Sequence, residues 1–330
     1  MNMPAGLESF SVGSRARTLL TRLWQASPPL TAVGVVMVVA AGASALGVAL
    51  DPRIISGAPA WLKPLKFALS TGIYSLTMAW MFMYLSERPR VRRVVGWITA
   101  VVFVLELGII DVQALRGTTS HFNGATLLDQ VLYGIMGAAI VVQTLVSIAV
   151  AVALWRQPFA DRALGWALRF GMVLTILGAL TGGLMTRATP AQLTELRAGA
   201  HASIVGGHTV GGADGGPGLP VTGWSRDHGD LRVPHFLGLH AIQALALIAV
   251  GARRSRRSAV VRSRTVVAAA ASYAALFGLL LWQALRGVSV AAPDAVAPLA
   301  IWAVSTVVVV AAIFGGSRGA APGAQKAVAV

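Results

Sequence analysis

The chain has 330 residues, of which 56% are hydrophobic and 12% charged, and a mean hydropathy of +0.71, which excludes an ordinary soluble domain and points to a membrane protein. Its formal charge of +15 raises nucleic acid as a partner, but the placement of the charge along the chain removes that reading. Cysteine is absent, which excludes disulfides and thiolate metal sites.

Residues 1–29 read as a cytoplasmic segment in which RARTLLTRLW, residues 15–24, alternates arginines with Leu19, Leu20, Leu23 and Trp24. That pattern predicts a short amphipathic helix lying on an anionic leaflet. Eight windows of about 20 residues follow, each long and apolar enough to cross a hydrocarbon core. They lie near 30–50, 67–86, 95–115, 130–155, 163–186, 235–252, 265–285 and 297–315. The expected fold class is therefore all-α: a polytopic transmembrane helical bundle of about eight helices over 30–315, with a cytoplasmic tail at 316–330. Ala43-Ser44-Ala45 resembles a signal-peptide cleavage site, but the apolar run continues to Leu50 and the preceding region is long, which favours a retained helix.

With the N-terminus inside, the cytoplasmic segments carry 17 basic residues, including Arg88, Arg90, Arg92, Arg93 and the cluster from Arg253 to Arg264, against Glu8, Glu87 and Asp161. The opposite face carries nine basic residues against eight carboxylates. This asymmetry is the positive-inside signal and predicts both termini in the cytoplasm. The cytoplasmic connections ERPRVRRVV and ARRSRRSAVVRSR are short, whereas the outer ones include a long loop, 187–234, whose length marks it as a lid or binding loop. Its glycine-rich part, 204–224, carries Val205, Val210, Leu219, Val221 and Trp224 as apolar anchors for a cap over the helix ends, with His208 and Asp214 facing inward.

QALRG occurs at Gln113–Gly117 and again at Gln283–Gly287, and Leu62–Phe67 (LKPLKF) aligns with Leu231–Phe236 (LRVPHF). Windows two to four then correspond to six to eight in a four-plus-four internal repeat, an arrangement that places sites between halves.

All six histidines, His121, His201, His208, His228, His235 and His240, fall on the outer side of this topology. Histidine is the commonest metal ligand and titrates near neutral pH, so this face is a candidate for ligation or proton chemistry. On one straight helix His240 lies about 7.5 Å deeper than His235 and about 140° around from it, so the two need partners from elsewhere. Gln243 shares the face of His240. Glu106, Asp111 and Gln113 lie in the outer half of the third window, where a carboxylate inside the bilayer is costly unless paired, protonated or hydrated. Arg116 is the expected partner of Asp111. Ser120, His121 and Asn123 form a compact polar cluster, Thr126 or Asp129 is placed to cap the next helix, and Arg169 is expected to snorkel. Arg53, Lys63 and Lys66 bring positive charge to the outer face, against the topology tendency, either for an anionic ligand or to pair with Asp214, Asp227 and Asp230.

No CxxCH, HExxH, GxSxG or Walker motif is present, while haem held noncovalently between histidines of different helices needs no local signature. SHFN (120–123), GHTVGGADGGPGLP (207–220), GW (223–224) and GDLRVPHFLGLHAIQ (229–243) resemble segments of an uncharacterised group of bacterial multi-pass membrane proteins. The resemblance covers features between about 50 and 245. It implies a bacterial inner-membrane location and no activity.

These readings converge on an outward-facing polar pocket among helices two, three, six and seven, covered by 187–234 and embedded in the lipid bilayer. The first functional expectation is a haem or transition-metal centre (copper, iron or zinc). His121 and His240 are its leading ligand candidates, with His208 or His235 as others, and Glu106, Asp111, Gln113 and Gln243 serve as second shell or proton path. The second is a transporter or permease for a small molecule or ion, an anionic solute among the candidates, entering from the outer side, with Lys63, Lys66, Arg232 and Asp230 as anion or loop contacts and Glu106 coupling to protons. The third is a non-catalytic sensor or assembly factor. Whether the chain is an enzyme stays open.

Overall fold

The structure, a computed structural model, describes residues 12–199 and 202–316. His201, Glu8, Arg318, Lys326 and the expected tail beyond residue 316 lie outside the described residues. The helices are α1 (Val12–Ala26), α2 (Pro28–Leu50), α3 (Leu62–Phe82), α4 (Pro89–Leu115), α5 (Leu127–Arg156), α6 (Arg162–Met185), α7 (Pro190–Arg197), α8 (Arg232–Leu239), α9 (Ala241–Arg253), α10 (Ala259–Leu285) and α11 (Pro293–Gly316). Among the described residues the strands are four of two residues each, β1 (Ile54–Ile55) with β2 (Ala58–Pro59) and β3 (Thr209–Val210) with β4 (Gly229–Asp230), each pair antiparallel.

The chain is an all-α, multi-pass membrane protein. Among the described residues six helices are long and apolar enough to span a bilayer, or seven if α8 and α9 are taken as one bent span. Val38, Val39, Ile301, Val304 and Val307 are 60–68% exposed; rows of bare branched side chains that would be a liability in water are the expected lipid-facing surface of such helices.

The chain divides into two compact units, one built from residues up to Ser120 with Ile135–Val146, the other from His121–Gly134 and residues from Ser147 onward. In the first, the backbones of α2 and α3 approach closely through small residues: a Cβ on Gly34 would come within 2.5 Å of Leu76, and one on Gly72 within 3.1 Å of the Met37 Cβ. Met37, Ala68, Phe103 and Leu107 form the core there, with Tyr74 meeting Phe103 edge to face at 5.4 Å. α1 is the helix expected over 15–24, with Leu23 buried and Leu19, Leu20 and Trp24 exposed. Its last carbonyls, on Gln25 and Ala26, accept hydrogen bonds from Arg92, so this arginine of the expected topology anchor also closes a helix end. Ser56 and Gly57, with φ of 50° and 78°, make the primed turn that a two-residue hairpin between β1 and β2 requires.

In the second unit the backbone of α6 touches those of α8 and α9. A Cβ on Gly238 would lie 2.4 Å from the Gly178 Cα, and one on Gly171 would lie 2.8 Å from the Ile242 Cα. The straight helix expected over 235–252 is corrected by the structure: α8 and α9 meet at His240 with a bend of 43°. Carbonyls freed by such a bend must be satisfied inside an apolar medium. Tyr273 of α10 donates to the Leu237 carbonyl at 2.7 Å, and Thr175 of α6 reaches that of Leu239 at 3.5 Å. α11 is tied to α10 by Trp302 Nε1 donating to the Ser272 carbonyl and by the paired hydroxyls of Ser272 and Thr306.

Thr126 caps α5 by accepting from the Asp129 amide, as the sequence implied. The shared QALRG pentapeptide closes α4 and α10 with the same cap. Gly117 and Gly287 both take φ of +75°, and Thr118 and Val288 donate to the carbonyls of Gln113 and Gln283, each at 3.0 Å, the pattern of a Schellman motif.

Candidate functional site

The residues expected to share one pocket divide between the two units. Lys63, Lys66, Glu106, Asp111 and Gln113 belong to the first; His121, His208, His235, His240, Gln243, Asp230 and Arg232 belong to the second.

In the first unit Glu106 is 2% exposed in the middle of α4. Its Oε1 has no hydrogen-bond partner, and the buried hydroxyls of Ser75 and Thr99 also lack one. Lys63, in the first turn of α3, lies within electrostatic reach of the Glu106 carboxyl. Gln113, on the same face of α4 two turns away, is fully buried. Arg116 donates to the Gln113 side chain, a correction to the pairing of Arg116 with Asp111, whose Oδ1 makes no hydrogen bond. Arg53 is also redirected. It binds Asp51 through Nε and Nη2 and donates to the Leu115 carbonyl at the end of α4 rather than to Asp214, Asp227 or Asp230. Trp61 Nε1 and the Arg53 side chain together hold the Asp51 carboxyl well below its ordinary range, the Arg53 bond most of all.

In the second unit His235 Nδ1 lies 2.7 Å from the Gly178 carbonyl. A carbonyl only accepts, so Nδ1 carries the proton and the Nε2 lone pair of the neutral ring is left for another group. Thr181 sits 3.3 Å from the same Nδ1 and itself donates to the Gly178 carbonyl. His240 stands at the bend, its ring 4.4 Å from that of Phe236. Gln243 reaches toward His240, yet neither of its buried amide atoms has a hydrogen bond of good geometry.

SHFN proves to be a fastening for the long loop. Asn123 pairs with Ile204 as an isolated bridge, Val205 donates to the Phe122 carbonyl and Gly124 to that of Ser203, and Asn123 Oδ1 accepts from the Ala125 amide. Phe122 is buried and meets the rings of Tyr133 at 5.8 Å and His208 at 5.1 Å, while His121 contacts Phe122 and Tyr133. The hydrophobic residue between the polar ones was the missed signal in that segment.

The loop itself holds α7 and the β3–β4 pair. Asp230, 3% exposed, accepts from the amides of Ser225 and Arg232 and from the Arg232 guanidinium at 2.6–3.2 Å. Arg232 also donates to the Gly223 carbonyl, so these two residues serve as loop contacts. A cavity of about 10 Å³, room for one water, lies beside Asp230 and Gln283. Val210 packs against the cluster of Phe122, Met185, Leu231 and Ala284 as an anchor, but Val221 is 86% exposed and anchors nothing. Asp214, exposed rather than inward-facing, gathers the amides of His208 and Thr209 and the His208 ring at 2.8–3.0 Å.

Partial burial pushes the Asp214 carboxyl up, but the bonds and charge of His208 outweigh it and hold it well below its ordinary value of 3.8. A depressed carboxylate stabilises the fold above its unfolded value and loses that contribution as pH falls. The loop around 207–214 is thus expected to loosen progressively below about pH 4, seen as faster amide hydrogen exchange there. Asp214→Asn is expected to exchange faster at neutral pH and to lose that acid dependence.

Among the described residues no three His, Asp or Glu side chains are grouped so that they could hold a metal ion. No known family model matches the chain, nor does any curated protein or solved structure.

Proposed function

We propose that the chain is an eight-span protein of a bacterial inner membrane, with both termini cytoplasmic, that moves a small anionic solute together with protons. Counting α3, and α8 with α9 as one broken span, supports the eight crossings; the positive-inside asymmetry supports the orientation. The observation that carries the transport reading is Glu106: a carboxyl enclosed in a spanning helix with an unbonded oxygen and a lysine within electrostatic reach. A group so placed exchanges its proton with large energetic effect, which is what coupling requires. The break at His240 adds a discontinuous helix of the kind that lines solute sites in carriers.

Purified protein in liposomes enclosing a pH-sensitive dye tests this. Small organic and inorganic anions added under an inward proton gradient are expected to drive acidification in the wild type. Glu106→Gln, which keeps the size of the side chain, is expected to abolish it. A wild type that moves no protons with any member of the panel retires the reading.

A second reading, a haem or metal centre, rests on His235, whose Nδ1 bond to the Gly178 carbonyl is the arrangement that orients a ligating imidazole through Nε2. It predicts a visible absorption band or near-stoichiometric metal that His235→Ala removes, with His121→Ala and His240→Ala as companions. Colourless, metal-free protein, also after reconstitution with haem and metals, excludes it.

A further inference from the structure

At the junction of α5 and α6 a cavity of about 290 Å³ is lined by Pro158, Phe159, Arg162, Trp166 and Arg169. The sequence suggests that Arg169 snorkels toward water, but the structure fixes it differently. Its Nε donates to the Leu154 carbonyl at 3.0 Å and its Nη2 to the Gln157 carbonyl at 2.7 Å, closing the end of α5. The guanidinium lies over the rings of Trp155, Phe159 and Trp166 at 5.2–5.7 Å. Two carbonyls use only part of its five-donor fork, and neither Arg169 nor the exposed Arg162 makes an ion pair with a carboxylate among the described residues. The nearest acid in sequence, Asp161, is occupied with the α6 amides of Ala163 and Leu164 and with Arg253.

We infer that this cavity is a phosphate-binding site, in which Arg162 and Arg169 take the anion and Phe159 and Trp166 form its apolar wall. The volume exceeds that of a phosphate group and leaves room for the glycerol portion of a phospholipid, whose acyl chains would continue along the exposed apolar surface of α5, where Val152 and Trp155 are 44% and 47% exposed. Tryptophan and arginine at the end of a spanning helix are the residues that meet headgroups. A guanidinium already held in place by backbone loses little conformational freedom on binding. The shared chemistry is a phosphate anion, and its source is either the headgroup of an anionic lipid or free phosphate.

The full-length protein in detergent is to be examined by native mass spectrometry after addition of phosphatidylglycerol, phosphatidylcholine or inorganic phosphate. Arg162→Gln is the decisive variant, since Arg162 holds no hydrogen bond that the fold would lose; Arg169→Gln, which uncaps α5, is the supporting one. Retention of phosphatidylglycerol well above phosphatidylcholine, reduced about tenfold by Arg162→Gln, corresponding to about 1.4 kcal/mol, establishes a lipid site. Inorganic phosphate retained by the wild type and lost in Arg162→Gln, without preference among lipids, establishes a site for free phosphate. Binding of all three that neither variant changes overturns the inference, as does no binding at all.

Discussion

Gly178→Ala is expected to destabilise the second unit on the order of 3 kcal/mol. The added Cβ would sit 2.5 Å from the backbone of Gly238 and Leu239, and backbone atoms cannot rotate aside as a side-chain tip can. The crossing of α6 and α8 would have to open. That displacement also moves the Gly178 carbonyl away from His235 Nδ1 and Thr181, so the ring orientation is lost along with packing. The reciprocal Gly238→Ala is expected to behave alike. Gly183→Ala on the same helix is the control: nothing lies within 4 Å of its Cβ position, and alanine's better helix propensity should leave the midpoint unchanged or slightly raised. Thermal unfolding in detergent reads all three. Equal midpoints for Gly178→Ala and Gly183→Ala would mean that the two backbones do not touch.

Asp230→Ala is expected to cost about 3–5 kcal/mol and to detach the long loop. The carboxylate is enclosed, and its removal strands the Arg232 guanidinium together with the amides of Ser225 and Arg232. An orphaned partly buried charge and unpaired donors are far more damaging than the loss of the pair as a whole. The double variant Asp230→Asn with Arg232→Gln should therefore be less destabilised than Asp230→Ala alone. Limited proteolysis between 202 and 231 and the unfolding midpoint measure both effects. A single variant no more sensitive than the double would place the hold on this loop elsewhere, in the Asn123 and Val205 pairings.

Sequence reading was strongest where the signal is local. Helical windows follow from apolar length, and the cap at Thr126 follows from residue type at a helix end, because each depends on a few neighbouring residues. Pairings of charge were read poorly. Arg53 and Arg116 found near neighbours, Asp51 and Gln113, instead of the acids assigned to them, and Arg53 and Arg169 also donate to carbonyls, since an arginine fork is as well satisfied by the free carbonyls at a helix end as by a carboxylate. Sequence gives no rank order between those partners.

The histidines show the same division. Composition and periodicity by themselves determined that this is a helical membrane protein, that its long loop is placed between spans, and that Glu106 lies within an apolar helix, because hydrocarbon thickness and the cost of exposed backbone leave few alternatives. Only the tertiary structure decided that the span carrying His235 and His240 is broken at His240. It also decided that SHFN fastens a loop, and that Arg169 rests on three aromatic rings beside a cavity. These depend on what α6, α10 and the loop present across space: a bend is stable only if Tyr273 and Thr175 are there to receive its carbonyls, and no window along one helix contains that information.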